Sequence, residues 1–279
     1  MKVKSLLVLI IVVCCLTNAF AQEQKIAKEQ ANRIIEAYKR NARTFMNLEV
    51  CGDPYDGPVY ILKQTENYSL DRLITISPQQ EADLGLKMFH ETQEANVVNN
   101  PKDVAMLRDM VAKLATVSSN PGRTYHVYII KSDQINAFST IGGYIYVTSA
   151  LLNFVDTKDE LAFVLGHEMS HILNGHVVRK IKKIAFLSNL GQKLSYQQFS
   201  TIALDLSMQL SAPFDQIDEY DADKSSLQLV NKAGYDETAF NAFFMKLERY
   251  DRKDLLSRFM STHPSSANRR KCLNKLIAK

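Results

Sequence analysis

The stretch VLGHEMSHILNGH, Val164 to His176, sets three histidines and one glutamate within ten residues of an otherwise apolar run. Titratable groups at that density do not serve packing, so the segment reads as a helix built around a chemical task. Thr157 and Glu160 form a capping-box pattern ahead of it, and Asn174-Gly175 is a natural stop. The expected helix therefore runs from Lys158 to Leu173. On it His167 and His171 stand four residues apart. Four residues turn ~400°, which puts both rings on one face, about 6 Å apart. That suits two imidazole nitrogens meeting one tetrahedral zinc ion at ~2.0–2.1 Å. Glu168 lies beside His167 but off the ligand line, the position of a general base.

A catalytic zinc needs a third protein ligand. His176 does not fit that part. The metzincin spacing wants glycine third and histidine sixth after the second histidine, whereas here Gly175 and His176 are fourth and fifth. His176 therefore reads as a packing or hydrogen-bonding group at the helix end. A second helical segment, FDQIDEYDADKSSLQLV (Phe214 to Val230), offers carboxylates instead. Glu219 and Asp223 are four apart and share a face, so one can bind zinc while the other orients a ligand histidine. An acidic, solvated helix face is the plainer reading of the same pair.

The rest of the chain sets bounds. Its 279 residues are 46% apolar and 23% charged, globular values for one large domain or two small ones. Lys2 and Lys4, the apolar run Leu6 to Leu16 and Ala19-Phe20-Ala21 have the layout of a signal peptide spanning residues 1–21. Lipid anchoring through Cys14 or Cys15 is the competing reading, but each follows a bulky or thiol residue. Cleavage after Ala21 removes two lysines from 34 basic residues and leaves 32 against 30 acidic ones. So small a surplus, with no long basic stripe, excludes a nucleic-acid partner. RKIKK (Arg179 to Lys183) reads as a solvated helix end favoured by the dipole. The processed chain has no unbroken apolar run of ~18 residues, hence no expected transmembrane span. Cys51 and Cys272 remain, either joined in a disulfide or as buried thiols.

Along the chain, Gln24 to Leu48 is helical in pattern and CGDPYDGP (Cys51 to Pro58) breaks it, giving an accessory segment over residues 22–76. Ser77, Pro78 and Gln80 then open a helix, and Asn100-Pro101 opens another that runs to about Val117. YHVYIIK (Tyr125 to Lys131) and GGYIYVTS (Gly142 to Ser149) read as strands. The fold class is thus α+β and mostly helical, with one small sheet, and the catalytic unit spans residues 77–279.

With these residues in view, the chain resembles a family of zinc endopeptidases that takes in the CAAX prenyl endopeptidases, the HtpX heat-shock protease and the periplasmic protease BepA. Four matches carry the resemblance. The first is His167-Glu168-Met169-Ser170-His171, and the second is the E-x-x-x-D pattern Glu219 to Asp223. The third is STHPSSANRR (Ser261 to Arg270), which has His263-Pro264 and Arg269 six residues after the histidine. The fourth is NAFSTIGGYIYVTSALL (Asn136 to Leu152), which also reads as a hairpin with a glycine turn. Membrane spans and a C-terminal helical-repeat domain, found in some members, have no counterpart here.

The resemblance implies a zincin-like metallopeptidase domain whose small sheet lines the cleft with an edge strand. It assigns Glu219 as third ligand of one zinc ion per chain and Asp223 as the group orienting a ligand histidine. It implies that Glu168 is the catalytic base, and that His263 and Arg269 stabilise the oxyanion or hold their loop. Asn136, Gly142, Gly143, Tyr144, Ile145 and Tyr146 would bind an extended substrate by strand addition. The expected protein is a secreted hydrolase, a metalloprotease of the periplasm or the extracellular space, cutting extended or misfolded polypeptides in envelope quality control. Two other functions stay open: a peptide-binding holdase with structural zinc, and a zinc amidase acting on non-protein amides.

Overall fold

The computed structural model describes residues 64, 67–188, 194–205, 216–250 and 266–278. The expected signal peptide, the helix over Gln24 to Leu48, Cys51 and the His263-Pro264 pair lie outside them. Helices α1 (Pro78–Thr92) and α2 (Pro101–Thr116) lead into strands β1 (His126–Ile130), β2 (Ala137–Thr140) and β3 (Tyr144–Thr148). Then come α3 (Ser149–Phe154), α4 (Lys158–Leu173), α5 (His176–Ser188), α6 (Tyr196–Asp205), α7 (Gln216–Lys232), α8 (Phe240–Tyr250) and α9 (Ser266–Ile277). The mostly helical α+β architecture stands as expected.

Helix α4 is the axis of the fold. Thr157 caps it by accepting the Glu160 N–H at 3.2 Å. The Glu160 carboxylate does not close the capping box; it accepts from the Asp156 N–H at 2.8 Å and from Lys246 Nζ at 2.6 Å. Every residue from Glu160 to Ile172 is buried, as befits a helix enclosed on all sides. Helices α2, α5, α7 and α8 and strand β2 enclose it. The closest packing is with α7, and Gly166 allows it. A Cβ at Gly166 would lie 2.7 Å from Ser226 Oγ, which itself donates to the Phe163 carbonyl at 2.7 Å. Removing one side chain from α4 lets α7 come close enough for carboxylates to meet the histidines.

The sheet runs in the order β1-β3-β2, with β1 parallel and β2 antiparallel to β3. Val127, Ile129, Ala137, Ile145 and Val147 enter the main core from one face. The other face is aromatic: Phe89 of α1 stacks on Tyr128 at 4.4 Å, and Phe138 on Tyr146 at 4.9 Å. Burial pushes the Tyr146 phenol above its ordinary value.

Three expectations change here. β3 is the central strand and pairs on both sides, so Tyr144, Ile145 and Tyr146 have no free backbone edge to offer a peptide. That edge belongs to β2, which the sequence reading folded into a hairpin with β3. The close approach that Gly142 and Gly143 permit is also internal. Both have positive φ (82° and 86°), and a Cβ would meet Gly85 Cα at 2.9 Å in the first case and the Thr124 carbonyl at 2.4 Å in the second. Finally, RKIKK is not a solvated end. Arg179 donates to the Asn174 carbonyl at 2.6 Å, at the C-terminus of α4, while Lys182 is buried and bonded to Asp71 at 2.7 Å. Asp71 lies in the helical stretch 67–73, and the neighbouring Ile74 belongs to the main core. Residues 67–76 therefore pack with the helices that follow. Cys272 is disulfide-bonded, to a partner outside the described residues.

Candidate metal centre

Helix α4 presents His167 and His171 one turn apart on the side facing α7, and the two rings stand edge to face. Their Nε2 atoms converge to 3.0 Å. From α7, Glu219 brings Oε1 to 3.3 Å from His171 Nε2 and Oε2 to 3.6 Å from His167 Nε2. All three residues are buried, and their ligand atoms lie within 4.8 Å of one another. A tetrahedral zinc with bonds of ~2.0–2.1 Å requires ligand–ligand edges of about 3.3 Å. The observed edges bracket that value, so the donor set fits zinc in both chemistry and spacing. The plainer reading of Glu219 and Asp223 as a solvated acidic face is excluded, since they are 2% and 1% exposed.

Buried carboxylates need counter-charge and donors. Asp223 Oδ1 lies 2.9 Å from His167 Nδ1, the ring nitrogen turned away from the ligand cluster. Arg269 of α9 closes on the same carboxylate with a bidentate fork, Nε to Oδ2 at 2.8 Å and Nη2 to Oδ1 at 2.5 Å. Its Nη1 lies 3.2 Å from Glu219 Oε2, and its guanidinium sits over the Phe244 ring at 4.9 Å. Burial alone would raise the Asp223 carboxyl, but the charge and hydrogen bonds of Arg269, with His167, hold it below the usual range. The same carboxylates outweigh burial at Arg269 and strengthen its charge. Arg269 was expected to face the cleft or hold its loop; its Nε and Nη2 bond to Asp223, and its Nη1 lies beside Glu219.

Complete burial lowers the His171 imidazole well below its ordinary value, with the Glu219 hydrogen bond acting in the opposite direction. Glu168, the next residue after His167, is 1% exposed. His176, set aside as a ligand, occupies a telling place. Its Nδ1 lies 3.1 Å from His171 Nδ1, and its Nε2 lies 3.5 Å from Asp218 Oδ1. Sequence reasoning missed Lys180. Burial lowers its amino group to about 8, against the raising influence of Glu219, Asp218 and Glu168. One turn beyond His176 on α5, it had been counted with the basic cluster. His263 falls outside the described residues.

The chain is similar to known proteins. The model of peptidase family M48 matches residues 101–277. The beta-barrel assembly-enhancing protease of Escherichia coli (strain K12) is 26% identical over 212 residues, which are 70% of this chain and 43% of the relative. The mitochondrial metalloendopeptidase OMA1 of Arabidopsis thaliana is 34% identical over 171 residues, 60% of this chain and 34% of the relative. The corresponding protein of Danio rerio is 30% identical over 219 residues, 71% and 45% respectively. The chain thus spans less than half the length of the relatives it matches.

Proposed function

The chain belongs to peptidase family M48, and from that premise we propose that it is a zinc-dependent endopeptidase cutting extended or misfolded polypeptides. His167, His171 and Glu219 hold one zinc ion per chain, and Glu168 is the general base. The observation that carries the reading is the convergence of three buried ligand atoms within 4.8 Å, with Glu168 adjoining them on α4. Zinc, when bound, supplies Lewis acidity toward the scissile carbonyl and activates water. The residues do the rest. Glu168 takes a proton on its carboxylate and returns it to the leaving nitrogen. Asp223 accepts the His167 Nδ1–H, leaving Nε2 directed at the ion. Arg269 neutralises the carboxylates of α7, so stabilisation of the oxyanion falls to His263.

The substrate pairs with β2. The Thr148 N–H donates to the Asn136 carbonyl at 3.0 Å, so alternation turns the N–H and C=O of Ala137 and Ser139 away from β3. Among the described residues no strand covers that edge, and β2 packs directly on α4. An extended peptide added there lies alongside the histidine helix. The n-region, apolar run and small-residue site before Gln22 support export. Likeness to a beta-barrel assembly-enhancing protease supports a task in envelope protein quality control. No helix of the described residues is long and apolar enough to cross a membrane.

The test is cleavage of an unfolded protein by the zinc-loaded chain, with Glu168→Gln assayed at identical metal content. Cleavage lost only in the variant supports the reading. Full activity in the variant removes Glu168 as base. Zinc bound without cleavage by the wild type favours the peptide-binding module, and turnover confined to short non-protein amides favours the amidase.

A further inference from the structure

We propose that His176, backed by Asp218, is the positioning residue that fixes the tautomer of His171. The inference rests on the zinc reading of His167, His171 and Glu219. A histidine that lends Nε2 to a metal carries its proton on Nδ1. His167 meets that condition directly, with Nδ1 2.9 Å from the Asp223 carboxylate, which can only accept. His171 Nδ1 faces another imidazole, His176 Nδ1, at 3.1 Å.

Two ring nitrogens at that distance share one proton, and the direction of the bond has to be set from elsewhere. Asp218 sets it. Its Oδ1 lies 3.5 Å from His176 Nε2. A carboxylate there favours a proton on Nε2, which leaves His176 Nδ1 as an acceptor. His171 must then donate from Nδ1, and its Nε2 lone pair faces His167 and Glu219. The reverse arrangement sets the His176 Nε2 lone pair against the Asp218 carboxylate and aims an N–H of His171 into the ligand cluster. That arrangement is unfavourable at both ends.

The fold builds this relay with little sequence. Gly175, at φ +72°, turns the chain directly from α4 into α5, so the first residue of α5 swings back beneath the last turn of α4. Asp218 immediately precedes Glu219 on α7. One helix therefore supplies the third ligand and, on either side of it, the carboxylates that orient both histidines. His171, His176 and Asp218 are all buried.

The experiment measures zinc affinity by chelator competition in the full chain and in His176→Ala and His176→Asn, with melting of each metal-free protein. Asparagine sets Oδ1 close to the place of Nδ1 and keeps an acceptor for His171. The expected result is a roughly 10–100-fold weaker affinity in His176→Ala, recovered for the most part in His176→Asn. In the wild type, ¹⁵N–¹H correlation of the histidine rings should show His171 protonated on Nδ1 and His176 on Nε2. That readout needs no variant, and a merely structural role for His176 would not dictate it. Equal affinities in all three proteins, or His171 unprotonated on Nδ1, overturn the inference and leave the peptidase reading standing. A wild type that binds no zinc overturns the metal reading itself, and this inference with it.

Discussion

Replacing Gly166 with alanine places a Cβ 2.7 Å from Ser226 Oγ and 3.5 Å from Ser226 Cα and Cβ. Ordinary contact begins at 3.4 Å, so the oxygen must retreat by 0.7 Å (3.4 − 2.7). It has two ways to do so. Ser226 can rotate and give up its bond to the Phe163 carbonyl, at a cost of about 1 kcal/mol. Alternatively α7 can back away, at an overpacking cost of about 1–3 kcal/mol. Alanine returns about 1 kcal/mol of helix propensity. The net loss of stability is then only about 0–2 kcal/mol, and the more sensitive measurement is metal affinity. A retreat of α7 carries Glu219 with it and stretches edges that now measure 3.3 and 3.6 Å. We expect Gly166→Ala to bind zinc about tenfold more weakly, or about 1.4 kcal/mol, by chelator competition alongside thermal melting. Adding Ser226→Ala leaves only the 3.5 Å contacts and should restore affinity. Wild-type affinity in the single variant, or no recovery in the double, would refute the idea that this glycine sets the spacing of α4 and α7.

Two more predictions concern α7 and β2. Asp223→Ala strands the buried Arg269 beside Glu219 alone and should cost about 3–5 kcal/mol in denaturant unfolding. Asp223→Asn keeps the shape and should cost much less stability, while still weakening zinc binding by roughly 10–100-fold; equal effects of the two on stability would contradict the ion-pair account. Ser139→Pro removes an N–H that points away from β3, a place where an edge strand tolerates proline. It should raise KM for long peptides by more than any change in melting temperature accounts for, and an unaltered KM would show that substrate does not pair there.

Much of the centre could be read from local pattern. The bounds of α4 follow from Thr157 and Asn174-Gly175, and the shared face of Glu219 and Asp223 follows from their spacing. What local pattern could not supply was order in space. Whether β2 or β3 forms an edge depends on β1 joining the far side of β3, a pairing between segments well separated in sequence. β2 itself is four residues containing a serine and a threonine, too short to assert a period. His176 looked like a failed ligand because motif spacing measures positions along one helix. Gly175 ends that helix and starts another, so His176 reaches His171 from below. Lys182 lay hidden within a basic cluster because its partner, Asp71, is 111 residues away. Arg269 was noticed as a cleft residue, yet its fork meets Asp223, 46 residues earlier.

That separation has a consequence in time. Asp223 leaves the ribosome 46 residues before Arg269, so the carboxylate emerges ahead of the guanidinium that neutralises it. Burying it unpaired is costly, which opposes full closure of α7 on α4 until α9 arrives. The nascent chain therefore carries the histidines and carboxylates of the centre before it can bring them together. Synthesis order thus delays assembly of the centre until α9 has been made.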